Sequence, residues 1–95
     1  MTISIQPSAL ADLRRGFRFY EKQERGLGEY FLDTLYSDID SLRLYAGIQP
    51  VHFGKFLRLL SKRFPFAVYH QMNGEESQIR AVLDPRNELS PPTES

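Results

Sequence analysis

The sequence predicts an α+β domain with the element order β-α-α-β-β-β. Three observations support this prediction: an alternating segment at the start, two apolar stripes with helical spacing over residues 10–42, and three branched and aromatic segments over residues 56–84. A chain of 95 residues has room for one hydrophobic core. We therefore expect a single domain over residues 1–87, followed by a flexible polar tail over residues 88–95, "ELSPPTES".

The first strand is predicted from "TISIQ", in which Ile3 and Ile5 alternate with polar residues. Pro7 ends this strand, and Ser8 is a suitable N-cap for a helix that begins near Ala9. The buried stripe of this first helix is predicted to consist of Leu10, Leu13, Phe17 and Tyr20. Its opposite face carries Arg14, Arg15, Arg18 and Lys22.

A second helix follows a break marked by two glycines in "ERGLGEY". Its apolar stripe consists of Leu27, Phe31, Leu35, Ile39 and Leu42. We expect this helix to run from about Gly28 to Tyr45 and to stop at Gly47, a favourable C-terminal glycine. Because the connection is so short, the two helices must form an antiparallel hairpin.

Three strands are predicted over residues 56–60, 64–72 and 77–84. Asn73-Gly74 lies between the second and third of these and favours a tight hairpin turn. The three strands should form an antiparallel meander with the helices on one face. The first strand should join the sheet at an edge.

The charge of the chain is balanced overall but uneven along the sequence. Twelve acidic and twelve basic residues cancel, which argues against a dedicated nucleic-acid-binding protein. Residues 48–74 nevertheless carry four bases and no acid. This segment is therefore predicted to form a local surface that attracts anions.

Several function classes are disfavoured by the composition. The chain has no cysteine, which excludes disulfides and thiolate chemistry. Its two histidines, His52 and His70, are too far apart to form a recognisable metal motif, so we expect neither a metal nor a cofactor. The N-terminus lacks the features of a signal peptide and no apolar run approaches about 20 residues, so we expect a cytoplasmic protein without a membrane span.

Four cations in the second half are the candidate binding residues for an anionic partner: Arg58, Lys62, Arg63 and Arg86. Arg63 and Arg86 both lie at strand termini, which a meander can bring near each other. The planar fork of arginine suits phosphate or carboxylate. Alternation in the middle strand allows either Tyr69 or His70 to face solvent beside these cations.

The order of elements, together with the segments "GLGEYFLDTLYSDI", "KRFPFAVYH" and "AVLDPR", resembles the RelE/ParE superfamily of bacterial toxins. The resemblance covers about residues 4–87. It implies a curved antiparallel sheet with a helical hairpin, and a cognate antitoxin that wraps the toxin. RelE-like members cut mRNA in the ribosomal A site, whereas ParE-like members inhibit DNA gyrase.

The resemblance also implies roles for individual residues. Arg63 matches the arginine of the central strand and Arg86 the one after the last strand, with Lys62 and Arg58 as supporting charges. In a nuclease, Arg63 and Arg86 would hold the scissile phosphate with Tyr69 or His70 nearby. The tail contains no aromatic acid–base residue and the chain is neutral, which favours a ParE-like toxin.

Three hypotheses remain open from the sequence. The first is a ParE-like gyrase inhibitor that forms a hetero-oligomer with a ParD-like, ribbon-helix-helix antitoxin. The second is a RelE-like endoribonuclease, the only one of the three that requires direct contact with nucleic acid. The third is a homologue that has lost toxicity and still binds an antitoxin.

Overall fold

The described residues fold into a five-stranded mixed sheet with a helical hairpin packed on one face. The computed structural model describes residues 2–45, 51–52 and 56–87. The strands are β1 (Thr2–Ile5), β2 (Val51–His52), β3 (Phe56–Leu60), β4 (Ala67–Asn73) and β5 (Glu76–Leu83). The helices are α1 (Pro7–Gln23), α2 (Leu27–Asp40) and the short α3 (Leu42–Tyr45), and a 3-10 turn (Pro85–Asn87) follows β5.

The strand order is β1-β5-β4-β3-β2. β1 is parallel to β5 at one edge, and the other neighbours are antiparallel. The predicted α+β class, the antiparallel meander and the edge position of the first strand are confirmed. The additional strand β2 was not predicted, because two residues are too few to show an alternating pattern.

The helix termini differ from the prediction in two places. α1 begins at Pro7, whose fixed φ suits the first helical position, so Ser8 lies inside the helix and is not its N-cap. α2 ends at Asp40, and α3 follows as a separate turn. At the junction the Ser41 hydroxyl donates back to the Asp38 carbonyl at 2.5 Å. The predicted stop at Gly47 and the predicted tail lie outside the described residues.

The hydrophobic core lies between the hairpin and the sheet. Its fully or almost fully buried members are Ala9, Leu13, Phe31, Leu35, Ile39, Leu42, Val68, Ile79 and Val82. These include most of the second predicted stripe, while Phe17 and Tyr20 of the first stripe are half-buried. A second cluster of Phe56, Ala67, Tyr69, Ala81 and Leu83 packs on the face of the sheet away from the hairpin, here called the far face.

The two long helices approach closely at glycines. A Cβ atom added at Gly28 would lie 2.6 Å from the carbonyl oxygen of Phe17, and one added at Gly16 would lie 2.4 Å from the Phe31 ring. The Glu21 carboxylate crosses the same junction and accepts the backbone N–H groups of Gly26 and Gly28 at 3.0–3.1 Å. A side chain of α1 therefore satisfies amides at the start of α2 that have no partner within the helix.

A β-bulge interrupts the pairing of β4 with β5. Tyr69 pairs with Ala81 and His70 pairs with Ile79, so Arg80 is an extra residue on β5. β5 pairs with β4 along one edge and with β1 along the other. Beyond the end of β1, side chains of α1 form hydrogen bonds with that second edge. The first such contact is made by Ser8, whose hydroxyl donates to the Arg80 carbonyl at 2.6 Å.

The second contact between α1 and β5 is made by Asp12, which lies one turn after Ser8 and is almost fully buried. Its Oδ2 accepts the Val82 N–H at 2.9 Å, and its Oδ1 forms an ion pair with Arg15. Asp12 therefore joins helix α1 to strand β5.

Asp12→Ala is expected to lower the free energy of unfolding by about 2 kcal/mol, because it leaves the buried Val82 N–H without its acceptor. Chemical denaturation measures this change. Asp12→Asn retains an acceptor oxygen and should lose less than half as much. Equal losses in the two variants would show that the charge on Asp12, and not this hydrogen bond, stabilises the fold.

Candidate functional site

Lys62 and Arg63 lie together in the connection between β3 and β4. The Ser61 N–H donates to the Phe66 carbonyl at 2.8 Å and closes this connection into a compact loop. β3 ends at Leu60, the predicted bound, and Arg63 in the following loop is exposed. Arg63 points toward α2, where its Nη1 donates to the Tyr30 hydroxyl at 3.2 Å.

A cleft of about 310 Å³ separates this loop from α2. It is lined by Tyr30, Asp33, Thr34, Ser37, Asp38, Lys62 and Arg63. Asp38 is buried at its base and accepts the Ser61 hydroxyl at 2.6 Å. Because carboxylates line the cleft together with the two cations, its charge is mixed.

Arg86 lies in the 3-10 turn after β5 and is bound by its own neighbour. Its Nε and Nη2 donate to both carboxylate oxygens of Asp84 at 2.5–3.1 Å. This hydrogen bonding is the main cause that lowers the pKa of Asp84 and raises that of Arg86. Arg86 is therefore held in an ion pair. The negative charge of Asp84 offsets the attraction of Arg86 for an anionic partner, whereas the Tyr30 hydroxyl bonded to Arg63 is neutral.

Arg58 lies elsewhere, on the far face. It pairs across the sheet with Tyr69, so its side chain leaves β3 on the side away from the hairpin. The structure thus brings Lys62 and Arg63 together and places Arg58 and Arg86 in two other environments.

The expectation that Tyr69 or His70 faces solvent is wrong, because both residues are completely buried. Tyr69 belongs to the far-face cluster with Phe56 and Ala81. His70 points to the opposite side, where it pairs with the core residue Ile79. A central strand that is covered on both faces leaves neither side chain open to solvent.

His70 is held neutral by its surroundings. Its Nδ1 lies 3.2 Å from the hydroxyl of buried Ser77, and its Nε2 has no hydrogen-bond partner among the described residues. Burial lowers the pKa of His70 to about 4. In this conformation the imidazole cannot reach a phosphate outside the core.

Arg80 was missed by the sequence interpretation. The bulge directs its side chain to the far face, where Nε donates to Gln71 at 3.0 Å and Nη2 to Gln78 at 2.9 Å. Regular alternation would give Arg80 the opposite orientation from Ala81, and nothing in the sequence pattern marks the bulge. Two arginines, Arg58 and Arg80, therefore lie on the far face.

Aromatic rings form a continuous row along one edge of the molecule. We call Phe19, Tyr20, Phe64 and Tyr30 the aromatic edge. Adjacent ring centroids are 5.1 Å apart for Phe19 and Tyr20, 4.9 Å for Tyr20 and Phe64, and 5.5 Å for Phe64 and Tyr30. Phe19 is 59% exposed and Tyr30 is 45% exposed, so both ends of the row reach solvent.

The two strand-terminal arginines flank this row. Arg63 is bonded to Tyr30 at one end. Arg86 and Asp84 lie near the other end. Burial and, to a smaller extent, the negative charge of Asp84 raise the pKa of Tyr20, while the positive charge of Arg86 lowers it. Exposed aromatic rings beside arginine are typical of the energetically dominant part of a protein–protein interface. The aromatic edge with Lys62 and Arg63 is therefore the candidate contact surface.

No helix among the described residues is long and apolar enough to cross a lipid bilayer.

The chain matches no protein-family model and no curated protein. It does match solved structures, among them a chain of the chromosomal ParDE TA (toxin–antitoxin) system from P. aeruginosa. The two share 19% identity with a TM-score of 0.68, over 88% of this chain and 95% of the other. At this identity the match establishes a common fold, which is the α+β fold that the resemblance to ParE-like toxins implied.

Proposed function

We propose that the chain is the toxin of a type II toxin–antitoxin system, that it inhibits DNA gyrase by binding, and that a ParD-like antitoxin neutralises it. The observation that supports this most is the shared fold over nearly the full length of both chains. The antitoxin is proposed to be a ribbon-helix-helix protein in a hetero-oligomer with the toxin.

The aromatic edge is the proposed contact with the toxic target. Tyr30 and Phe19 offer apolar area that costs little side-chain entropy to immobilise, and Arg63 adds a charge-assisted hydrogen bond. Lys62 extends the cationic end. Arg86, tied to Asp84, is proposed to contribute less, and Arg58 on the far face is proposed to contact the antitoxin.

The endoribonuclease hypothesis is less well supported. Cleavage of RNA needs a group that removes the 2′-hydroxyl proton within hydrogen-bond reach of the substrate. The two candidates, Tyr69 and His70, are completely buried in this structure. A toxin that acts by association needs no such group.

Expression of the chain alone in bacteria is expected to arrest growth and to induce the DNA-damage response, because poisoned gyrase leaves DNA breaks. Full-length transcripts should persist. Arg63→Glu should abolish the arrest, since it reverses the charge beside Tyr30. The readouts are colony counts, a damage-response reporter and mapping of mRNA ends.

Arg43→Glu is the matched control, because Arg43 is an exposed arginine near the C-terminal end of the hairpin that interacts with Asp40. It should arrest growth as the wild type does. Codon-phased mRNA breaks would favour the endoribonuclease, and harmless expression of a folded wild-type chain would favour a homologue without toxicity.

A further inference from the structure

The cleft between α2 and the loop after β3, here called the α2 cleft, has a buried carboxylate at one end and an arginine at the other. The α2 side chains that line it lie on three successive levels: Tyr30, then Asp33 and Thr34, then Ser37 and Asp38. Adjacent levels are one helical turn apart, about 5.4 Å. Arg63 is bonded at the first level, to Tyr30, and Ser61 at the third, to Asp38.

The buried carboxylate of Asp38 points to a ligand with N–H donors. Asp38 is 4% exposed and lines the cleft. Its Oδ2 accepts the Ser61 hydroxyl at 2.6 Å, and its Oδ1 has no hydrogen-bond partner among the described residues. A buried carboxylate oxygen without a donor is costly, so a donor group that enters the cleft would be stabilised there.

The opposite end of the α2 cleft suits a phosphate. Lys62 and Arg63 are exposed, and neither forms an ion pair with another described residue. The Tyr30 hydroxyl accepts an N–H from Arg63 and keeps its own proton available for a phosphate oxygen. Two cations beside a hydroxyl donor are well suited to bind a phosphate group.

The middle level suits the hydroxyls of a sugar. Asp33 is exposed and lines the cleft one turn from Tyr30, beside the half-buried Thr34. A carboxylate in such a position accepts hydrogen bonds from ribose hydroxyls in many nucleotide sites. The volume of about 310 Å³ is at the lower end of the range for ligand sites, which limits the ligand to a single nucleotide.

We propose that the α2 cleft binds free guanosine 5′-monophosphate. The phosphate lies on Lys62 and Arg63, the ribose on Asp33 and the base on Asp38. Guanine presents two adjacent N–H donors, on N1 and N2, which match the two oxygens of a carboxylate. Adenine and cytosine place a ring acceptor beside their amino group, and a carboxylate repels that acceptor. The proposal does not depend on the chain being a toxin.

Calorimetric titration of the wild-type chain tests the ligand. Guanosine 5′-monophosphate should bind, and guanosine and adenosine 5′-monophosphate should each bind at least about tenfold more weakly, because one lacks the phosphate and the other the paired N–H donors. No binding at millimolar concentration, or equal affinity for the two monophosphates, would overturn the proposal. Tighter binding of a 5′-phosphorylated RNA trinucleotide that begins with guanosine would overturn its assignment to the free nucleotide.

Asp38→Asn tests recognition of the base. It should bind guanosine 5′-monophosphate at least about tenfold more weakly and should gain affinity for xanthosine 5′-monophosphate, whose O2 can accept an N–H from the new amide. This gain cannot come from misfolding. Asp40→Asn is the matched control, because it removes the same charge at an exposed position outside the cleft. Equal losses in the two variants, without the gain for xanthosine 5′-monophosphate, would contradict the proposal.

Lys62→Gln/Arg63→Gln tests recognition of the phosphate. This variant should bind guanosine and its 5′-monophosphate with affinities that agree within about threefold, because the advantage of the phosphate is lost. Lys22→Gln/Arg25→Gln changes the net charge equally at exposed positions outside the cleft and should keep the preference of the wild type. A preference for the monophosphate that survives in the first variant would place the phosphate elsewhere and overturn the proposal.

Discussion

Gly28→Val is expected to lower the free energy of unfolding by at least about 3 kcal/mol. Its Cβ would lie 2.6 Å from the Phe17 carbonyl oxygen and 3.0 Å from the Glu21 Cβ, so the two helices must separate. Gly28→Ala should cost about 2 kcal/mol, because the better helix propensity of alanine offsets about 1 kcal/mol of the overpacking. For a domain of this size, 3 kcal/mol corresponds to a fall in Tm of about 12–24 °C.

The order of the two variants is the decisive result. Helix propensity alone predicts that both substitutions stabilise the protein, with alanine better than valine. Steric overlap predicts that both destabilise it, with valine worse. Ser37→Ala, an exposed position on α2, controls for propensity and should not lower Tm. A rise in Tm for Gly28→Ala would contradict the close packing of the hairpin.

The second large effect is a loss of stability in mild acid caused by His70. Its pKa is about 4 in the folded protein, against about 6.5 in an unfolded chain. Between these values the unfolded chain binds a proton that the folded protein does not, so stability falls as pH decreases. His70 contributes fully above about pH 6.5, and about 3 kcal/mol of this stability is lost by pH 4.

His70→Gln isolates this contribution, because glutamine keeps a polar group near Ser77 and does not titrate. Urea denaturation at pH 7, 5.5 and 4 should show a steeper loss in the wild type than in the variant. Carboxylates titrate in both proteins and cancel in the comparison. Parallel pH profiles would mean that protonation of His70 costs no stability, contrary to its buried, uncharged environment.

The fold could be predicted from local sequence because its signals are local. Apolar residues recur at helical spacing up to Leu42, and the short branched and aromatic segment 56–60 predicts β3 with the observed bounds. The short connection between the helices allows only a hairpin. What escaped prediction depends on contacts distant in sequence, such as Ser8 with Arg80, which lie 72 positions apart.

The candidate site was less predictable for the same reason. Arg63 could be chosen as a candidate from its position at a strand terminus, but its partner Tyr30 lies 33 residues earlier on α2. The burial of Tyr69 and His70 depends on packing against both faces of a central strand, which alternation cannot reveal. The orientation of Arg80 follows from a bulge whose flanking amide and carbonyl are bonded by α1.

The measurement that tests the central proposal most directly is DNA supercoiling by purified gyrase in the presence of the purified chain. The chain should inhibit supercoiling in proportion to its concentration, and Arg63→Glu, with unchanged Tm, should need at least about tenfold more protein for the same inhibition. Normal supercoiling at a large excess of folded wild-type chain would contradict the proposal that gyrase is the target.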